Sequence, residues 1–351
     1  MLFATIKQLT ELDGPVGQEG IVLDAVEAQW RELGAETRRT RTGNVLGHVP
    51  KPGAKKLLLI AHADELCYLV RSIDPSGLLY LANGQAWGRT TDLRNAFTIG
   101  ARVTVMARGG SIPGVIGAAT GHIASLVLRD LPELTWNDFW VDTGLSRAEL
   151  QARGVTPGTR IVWHAETVQF GEKIVGKALD DRAALAVLTE WLRTVPRTDL
   201  AWDVTLACTV QEEIGTLGAA AVTADARTHG IQYDAAIVLE IGLAGDIPPI
   251  GTLQMPLTLG QGPALIHKDA LMHYDYALTE ALTSCAANHR IPLQHAVLGS
   301  FGSDGRALIQ ADIPSAMLAF PARYTHTPFE MAHLRDIAQM VDLLVAFAVT
   351  P

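Results

Sequence analysis

Residues 56–65, Lys56-LLLIAHADE, run unbroken apolar from Leu57 to Ala61 and then end on His62 and Asp64. A strand that is apolar on both faces is buried on both, as in the centre of a parallel sheet. Three other stretches have the same texture: Trp202-DVTLACTV, Asp234-AAIVLEI and Pro314-SAMLAFPA. Apolar residues at helical spacing over 3–12 and 21–33 precede them, and helices are predicted over 181–195, 269–288 and 334–349. Alternation of buried strands with helices predicts an α/β fold around a mostly parallel sheet. Residues 69–165 break that rhythm with short strands, ARVTVMA and GVIGAA, and a turn at Gly109-Gly110. They read as an inserted small β-rich domain, leaving 1–68 and 166–351 as the main domain.

Composition limits the function. With 351 residues, 48% hydrophobic and 19% charged, the chain has enough apolar surface to bury a large core. A net charge of -9 offers no basic field for phosphate backbones or anionic lipid, so no nucleic-acid or membrane partner is expected. Cys67, Cys208 and Cys285 are widely separated and read as free buried thiols, which suits a reducing cytoplasm. No apolar run approaches a bilayer span.

The polar residues fall at the strand ends. His62 and Asp64 close the first strand, Glu212 and Glu213 follow the second, Glu240 ends the third, and His326 follows the fourth. In an open α/β sheet the C-terminal strand edge is where loops converge on a ligand. Asp180 and Asp181 stand at the start of a helix, where an isolated Asp pair reads as a cap. Beside two histidines and several carboxylates, the pair reads differently: so many acids at one edge repel one another without a cation. Imidazole and carboxylate together suit zinc, cobalt or manganese. Five ligands exceed one tetrahedral site, and a carboxylate such as Asp180 can bridge two ions about 3.5–4 Å apart. One of the two adjacent glutamates then coordinates, and the other carries a proton. Asp64 is placed to orient His62 or to act as a simple cap.

These residues resemble metallopeptidase family 42, the tetrahedral and glutamyl aminopeptidases with cocatalytic metals, which includes proteins once labelled cellulases. The resemblance covers nearly the whole chain: Leu9-TELDGPVGQE, His62-ADE, Gly114-VIGA, Asp138-FWVDTG, Gly176-KALDDR, Gln211-EEIGTLGA, Leu243-AGDIP, Gly302-SDG and Arg323-YTHTP. It implies that His62, Asp180 and Glu240 hold one divalent ion and Asp180, Glu213 and His326 the other. It also implies Glu212 as general base and Asp64 as the support of His62. Gly302, Ser303 and Asp304 would help form the pocket for the N-terminal residue of a short peptide with a free amine. The insertion would be a β-barrel-like dimerisation domain, and dimers would assemble into a hollow dodecamer. Two positions depart from the pattern: Glu240 stands where Asp is commoner, and Ser303 where Thr is commoner.

Other functions predict different features. A carboxypeptidase or aminoacylase needs similar metals and a pocket for a free carboxylate. A glycosidase uses paired carboxylates without metal, and a noncatalytic protein on this fold should have lost ligands or the base. Ser303 lacks the small-residue elbow of a serine nucleophile. His122, His164, His267, His273 and His295 read as surface or packing residues, and Asp246 as a turn carboxylate.

Overall fold

The computed structural model describes residues 1–84, 99–119, 135–248 and 250–350; His122 lies outside them. The four apolar stretches form β3 (Lys55–His62), β12 (Trp202–Thr209), β13 (Ala235–Leu243) and β16 (Ser315–Arg323), adjacent and parallel in the order β12-β3-β13-β16. Antiparallel strands extend both sides of this parallel centre. On one side lie β2 (Val45–Val49) and β1 (Glu36–Arg39). On the other lie β17 (Glu330–His333), β11 (Lys173–Gly176) and β10 (Val168–Phe170). The antiparallel β14 (Ala264–Lys268) also pairs with β16 and carries β15 (Gln294–Val297) beside it.

Side-chain alternation along the central strands builds two cores. Leu57, Leu59 and Ala61 of β3 face one layer, made by α1 (Leu2–Thr10), α2 (Gly20–Glu32), α4 (Leu179–Thr194), α6 (Tyr276–His289) and α8 (Leu334–Ala348). Leu58 and Ile60 face the other, where α5 (Leu217–Thr228) and α7 (Gly305–Ile309) pack. Along α8, Ile337, Met340, Val341, Leu344 and Phe347 recur at helical spacing and are buried. The predicted helix over 269–288 begins later, at Tyr276. Asp269 Oδ1 accepts the backbone N–H groups of Leu271 (2.6 Å) and Met272 (2.8 Å), which holds that stretch in a turn. Asp275 then caps α6 through Leu278 N at 2.8 Å.

Between β3 and β10 the chain forms a closed antiparallel barrel of six strands. They are β4 (Tyr68–Ile73), β5 (Leu79–Asn83), β6 (Arg102–Ala107), β7 (Gly110–Ala118), β8 (Phe139–Asp142) and β9 (Arg160–Trp163). Val70, Leu81, Val105, Ile116, Phe139, Val141 and Ile161 fill it. A helix capped by a Ser146–Glu149 capping box, α3 (Arg147–Ala152), adds Leu150 to the same core. The barrel packs on the main sheet domain through Val16, Cys67 and Val162, and Arg160 Nε donates to Val16 O at 2.6 Å. No described helix is long and apolar enough to cross a membrane.

Candidate active site

The C-terminal ends of β3, β12, β13 and β16 place His62, Glu212, Glu213, Glu240 and His326 around the start of α4, which brings Asp180 and Asp181. His62 Nε2 lies 3.1 Å from Asp180 Oδ1, while His326 Nε2 lies 3.4 Å from Asp180 Oδ2 and 3.7 Å from Glu213 Oε1. The two oxygens of Asp180 thus face different histidines, one from a central strand and one beyond the end of another. Two groups of donor atoms lie within 4.8 Å of one another: His62, Asp180 and Glu213, and His62, Asp181 and Glu240.

The surroundings hold these side chains from behind. Asp64 Oδ1 accepts Glu212 N at 2.9 Å and Oδ2 accepts Glu213 N at 3.1 Å, which fixes the backbone of both glutamates. His62 Nδ1 faces the backbone oxygen of Asp64 at 3.2 Å and its carboxylate at 3.5 Å, an arrangement that orients the ring. Glu330, four residues past His326, accepts Asp180 N at 3.1 Å through one oxygen and His326 N at 2.8 Å through the other. His326 has φ 63°, and Ala178, Gln211, Thr216 and Tyr324 beside the site also have positive φ, a non-glycine backbone geometry that clusters at functional sites. The Asp180–Asp181 peptide bond is cis.

The electrostatics are those of a site built for cations. Burial, and then the neighbouring acids, push the Glu213 carboxyl up to about 7 and those of Asp181, Glu212 and Glu240 well above their ordinary range. Burial opposes the charged form of His326, but Glu213 and Asp180 outweigh it and raise the ring to about 10. His62 is raised in the same way by its bonds to Asp180 and Asp64. Asp181 Oδ1 is buried without a hydrogen-bond partner among the described residues. An orphaned buried carboxylate oxygen, crowded acids and two imidazoles are a donor set that fits divalent metal ions. His62, Asp180 and Glu213 could hold one ion and His62, Asp181 and Glu240 another, while His326 adds its Nε2 near Asp180 and Glu213.

The remaining expected residues divide. Gly302 lines a cavity of about 650 Å³ together with Asp180, Glu212, Glu213, Glu240 and His326. A Cβ on Gly302 would sit 2.3 Å from Leu271 Cδ1, so glycine lets the cavity wall close there. Ser303 and Asp304 sit behind that wall. The Ser303 hydroxyl is fully buried at 2.6 Å from the Tyr274 hydroxyl, and Asp304 Oδ2 accepts the Thr209 hydroxyl at 2.7 Å. Burial, with Asp64 nearby, pushes the Asp304 carboxyl up to about 6. Asp246 receives Arg323 through Nε (2.8 Å) and Nη2 (2.6 Å), pinning the turn after β13 to the end of β16. His267 and His295 contact each other at 2.9 Å, apart from this cluster. The sequence reading passed over Glu330, although it lies in the same Thr325-HTPFE stretch as His326, and over Lys177; for Arg182 it expected pairing with neighbours or support of the helix start, or an outer role at the site.

Known proteins share this fold. The model of the M42 glutamyl aminopeptidase family matches residues 43–343. The Escherichia coli (strain K12) protein FrvX, which carries an aminopeptidase name, is 31% identical across 98% of this chain and 94% of its own. The aminopeptidase APDkam598 from Desulfurococcus kamchatkensis is 28% identical and covers 100% of this chain and 95% of its own at a TM-score of 0.89. The Pyrococcus horikoshii TET1 peptidase is 25% identical over 99% of both chains at a TM-score of 0.84; its structures are described as a dodecamer and as a tetrahedron or large octahedral shell. A strand-edge cluster of two imidazoles and crowded carboxylates, on a chain matched from end to end by aminopeptidases, places this protein in the M42 family of metal-dependent aminopeptidases.

Proposed function

We propose that the chain removes the N-terminal residue of short peptides with a free amine, using two metal ions held by His62, Asp180, Glu213, Glu240 and His326. The observation that carries this reading is Asp180, whose two oxygens face His62 and His326 separately, as a bridging ligand requires. Zinc or cobalt, with manganese as the third option, would supply Lewis acidity toward the scissile carbonyl and make a water acidic enough to attack. Glu212 would accept a proton from the attacking water and return it to the leaving amine. Its backbone is fixed by Asp64, and it lines the cavity without being among the proposed metal ligands. Asp64 also sets the ring of His62, while Glu330 holds the main chain of Asp180 and His326.

A chelated sample should lose turnover of aminoacyl anilides and regain it with cobalt or zinc. Free-amine peptides should be cut in preference to N-blocked ones. A metal-loaded chain that is inactive over a broad aminoacyl panel, or that prefers blocked peptides, would refute the reading. Residues 1–68 and 166–351 act as the catalytic domain and 69–165, whose strands close the barrel together with Tyr68, as a dimerisation module. The TET relative supports a homo-oligomer built from dimers, up to a dodecamer, testable by particle mass. Three free buried cysteines accord with a cytoplasmic location.

A further inference from the structure

One wall of the cavity at the candidate metal site is held by a buried carboxylate that the proposed chemistry does not use. Asp269 directly follows β14 and is fully buried. Its Oδ1 accepts Leu271 N at 2.6 Å and Met272 N at 2.8 Å, and its Oδ2 accepts the Tyr274 hydroxyl at 2.7 Å. The Tyr274 oxygen lies 2.6 Å from Ser303 Oγ, which accepts Gly305 N at 3.1 Å. With the Tyr274 proton committed to Asp269, the Ser303 hydroxyl donates to Tyr274. The bonds then run one way, from Gly305 N–H through Ser303 and Tyr274 to Asp269. Such a chain must end on an acceptor, and a carboxylate is an acceptor alone.

Both ends of the chain adjoin the cavity. Residues 270–271, directly after Asp269, and 300–302, directly before Ser303, line it. Ala270 N donates to Phe301 O at 2.8 Å, and a Cβ on Gly302 would meet Leu271 Cδ1 at 2.3 Å, so the two segments touch without slack. Leu271 and Phe301, with Ile241 and Leu243, give the cavity an apolar surface. Close-packed walls yield little, and a gap of a fraction of an ångström forfeits much of a contact, so a wall pinned in place discriminates by bulk. Resting on the aminopeptidase reading, we infer that Asp269 is a positioning residue: it holds 270–271 and 300–302 as one wall and thereby limits the bulk of the substrate side chain that the cavity admits.

The test measures kcat and KM on two substrate series. Alanyl, leucyl, phenylalanyl and tryptophanyl p-nitroanilides vary the N-terminal side chain, and Leu-Ala, Leu-Leu and Leu-Trp vary the residue after the scissile bond. The wild type should disfavour the bulkiest side chain in at least one series by about 10- to 200-fold, the range that pocket fit supplies. In Asp269→Asn the amide nitrogen faces either Tyr274, which reverses the chain and leaves the Ser303 proton without its acceptor, or the two backbone N–H groups. That size discrimination should shrink by about 5- to 30-fold, the range of a lost buried hydrogen bond, through KM rather than kcat. Tyr274→Phe should act in the same direction but less, because Ser303 Oγ lies 3.3 Å from Asp269 Oδ2 and can donate to it directly. Should Asp269→Asn fail to fold, Tyr274→Phe decides in its place. Leu271→Ala, which trims the wall and spares the chain, should relax the same ratio. Size ratios unchanged in both series overturn the inference, as does an equal loss on every substrate, the result of a merely structural role. A wild type without size discrimination in either series overturns it too. These outcomes are read on an active enzyme. A metal-loaded wild type inactive on every substrate sinks the aminopeptidase reading, and this inference with it.

Discussion

Two clusters of buried charge lie side by side at the end of β3, and they are completed in opposite ways. In the first, Lys177 Nζ reaches both oxygens of Glu65 at 2.9 Å and Asp13 at 3.0 Å. Arg182 donates to Ala63 O, Leu9 O, Leu12 O and Gly14 O and lies 3.4 Å from Glu65. Each charge there has a counter-charge or carbonyl supplied by the chain, and the result is a clamp holding the segment Leu9–Gly14 against the strand. In the second, Asp180, Asp181, Glu212, Glu213 and Glu240 crowd around two imidazoles, and among the described residues an oxygen of Asp181 has no partner. The residues interleave: Glu65 follows His62 and Asp64, while Lys177 and Arg182 bracket Asp180 and Asp181. The neutralised cluster is architecture, and the acid-rich one leaves its compensation to a cation.

Two substitutions should separate the clusters most widely. Glu212→Gln removes the proton carrier without removing a proposed ligand, so kcat should fall by about 10²- to 10⁴-fold while metal analysis still finds two ions per chain. Turnover within a few-fold of wild type would remove Glu212 from the chemistry. Arg182→Met strikes the other cluster and leaves Glu65 and four carbonyls short of a donor. Unfolding by denaturant should show a loss of about 3–5 kcal/mol. A loss below about 1 kcal/mol would show that the clamp is not the structural half of the pair.

A smaller effect is expected where the clusters' supports meet the metal ligands. Glu330 accepts one N–H with each oxygen, and in Glu330→Gln the amide nitrogen must face either Asp180 N or His326 N. Metal affinity should drop about 10- to 100-fold, as when a group that orients a ligand is lost, and this is measurable by competition with a chromophoric chelator. Unchanged affinity would leave Glu330 as ordinary strand packing.

What the sequence revealed follows the same division. The central strands were readable because burial on both faces leaves unbroken apolar runs, and the site because polar residues end those runs. Lys177 pairs with Asp13 and Glu65, acids far from it along the chain. Arg182 was not readable as a clamp, since its partners are mostly carbonyls, three of them in a segment about 170 residues away, and carbonyls leave no mark in sequence. Glu330 escaped for the same reason, bonding only to main-chain N–H groups. Alone, the Asp pair would have suggested a helix cap, and only its company of histidines and acids made Asp180 a candidate ligand; Ala178 stands at the cap position of α4, and Asp180 and Asp181 turn inward to the histidines. The antiparallel flanks β1, β2, β10, β11 and β17 are short and carry no long apolar run, so they gave no comparable signal.

The gentlest test of the comparison is pH. Glu213, pushed up to about 7, and Glu330, pushed up to about 8, hold protons in the folded metal-free protein over a range where the unfolded chain has released them. An acid raised on folding contributes stability that is lost as pH climbs from its ordinary value through the folded one. His326, raised to about 10, acts in the same direction, because its contribution is complete below pH 6.5 and is lost toward pH 10. Asp180 is held far below its ordinary range by both histidines against the cost of burial; its contribution is lost only in acid, outside this window. The chelated protein should therefore melt at lower temperature at pH 8 than at pH 5. Glu240→Gln should make that slope shallower, because one of the repelling acids is gone. Metal-loaded protein should show the opposite trend relative to the chelated one: ligands must lose protons to bind, so the stabilisation by metal grows with pH. A chelated protein that is more stable at pH 8 than at pH 5 would mean that the acids at the sheet edge are already compensated by the chain, and the contrast with the Lys177–Glu65–Arg182 clamp would collapse.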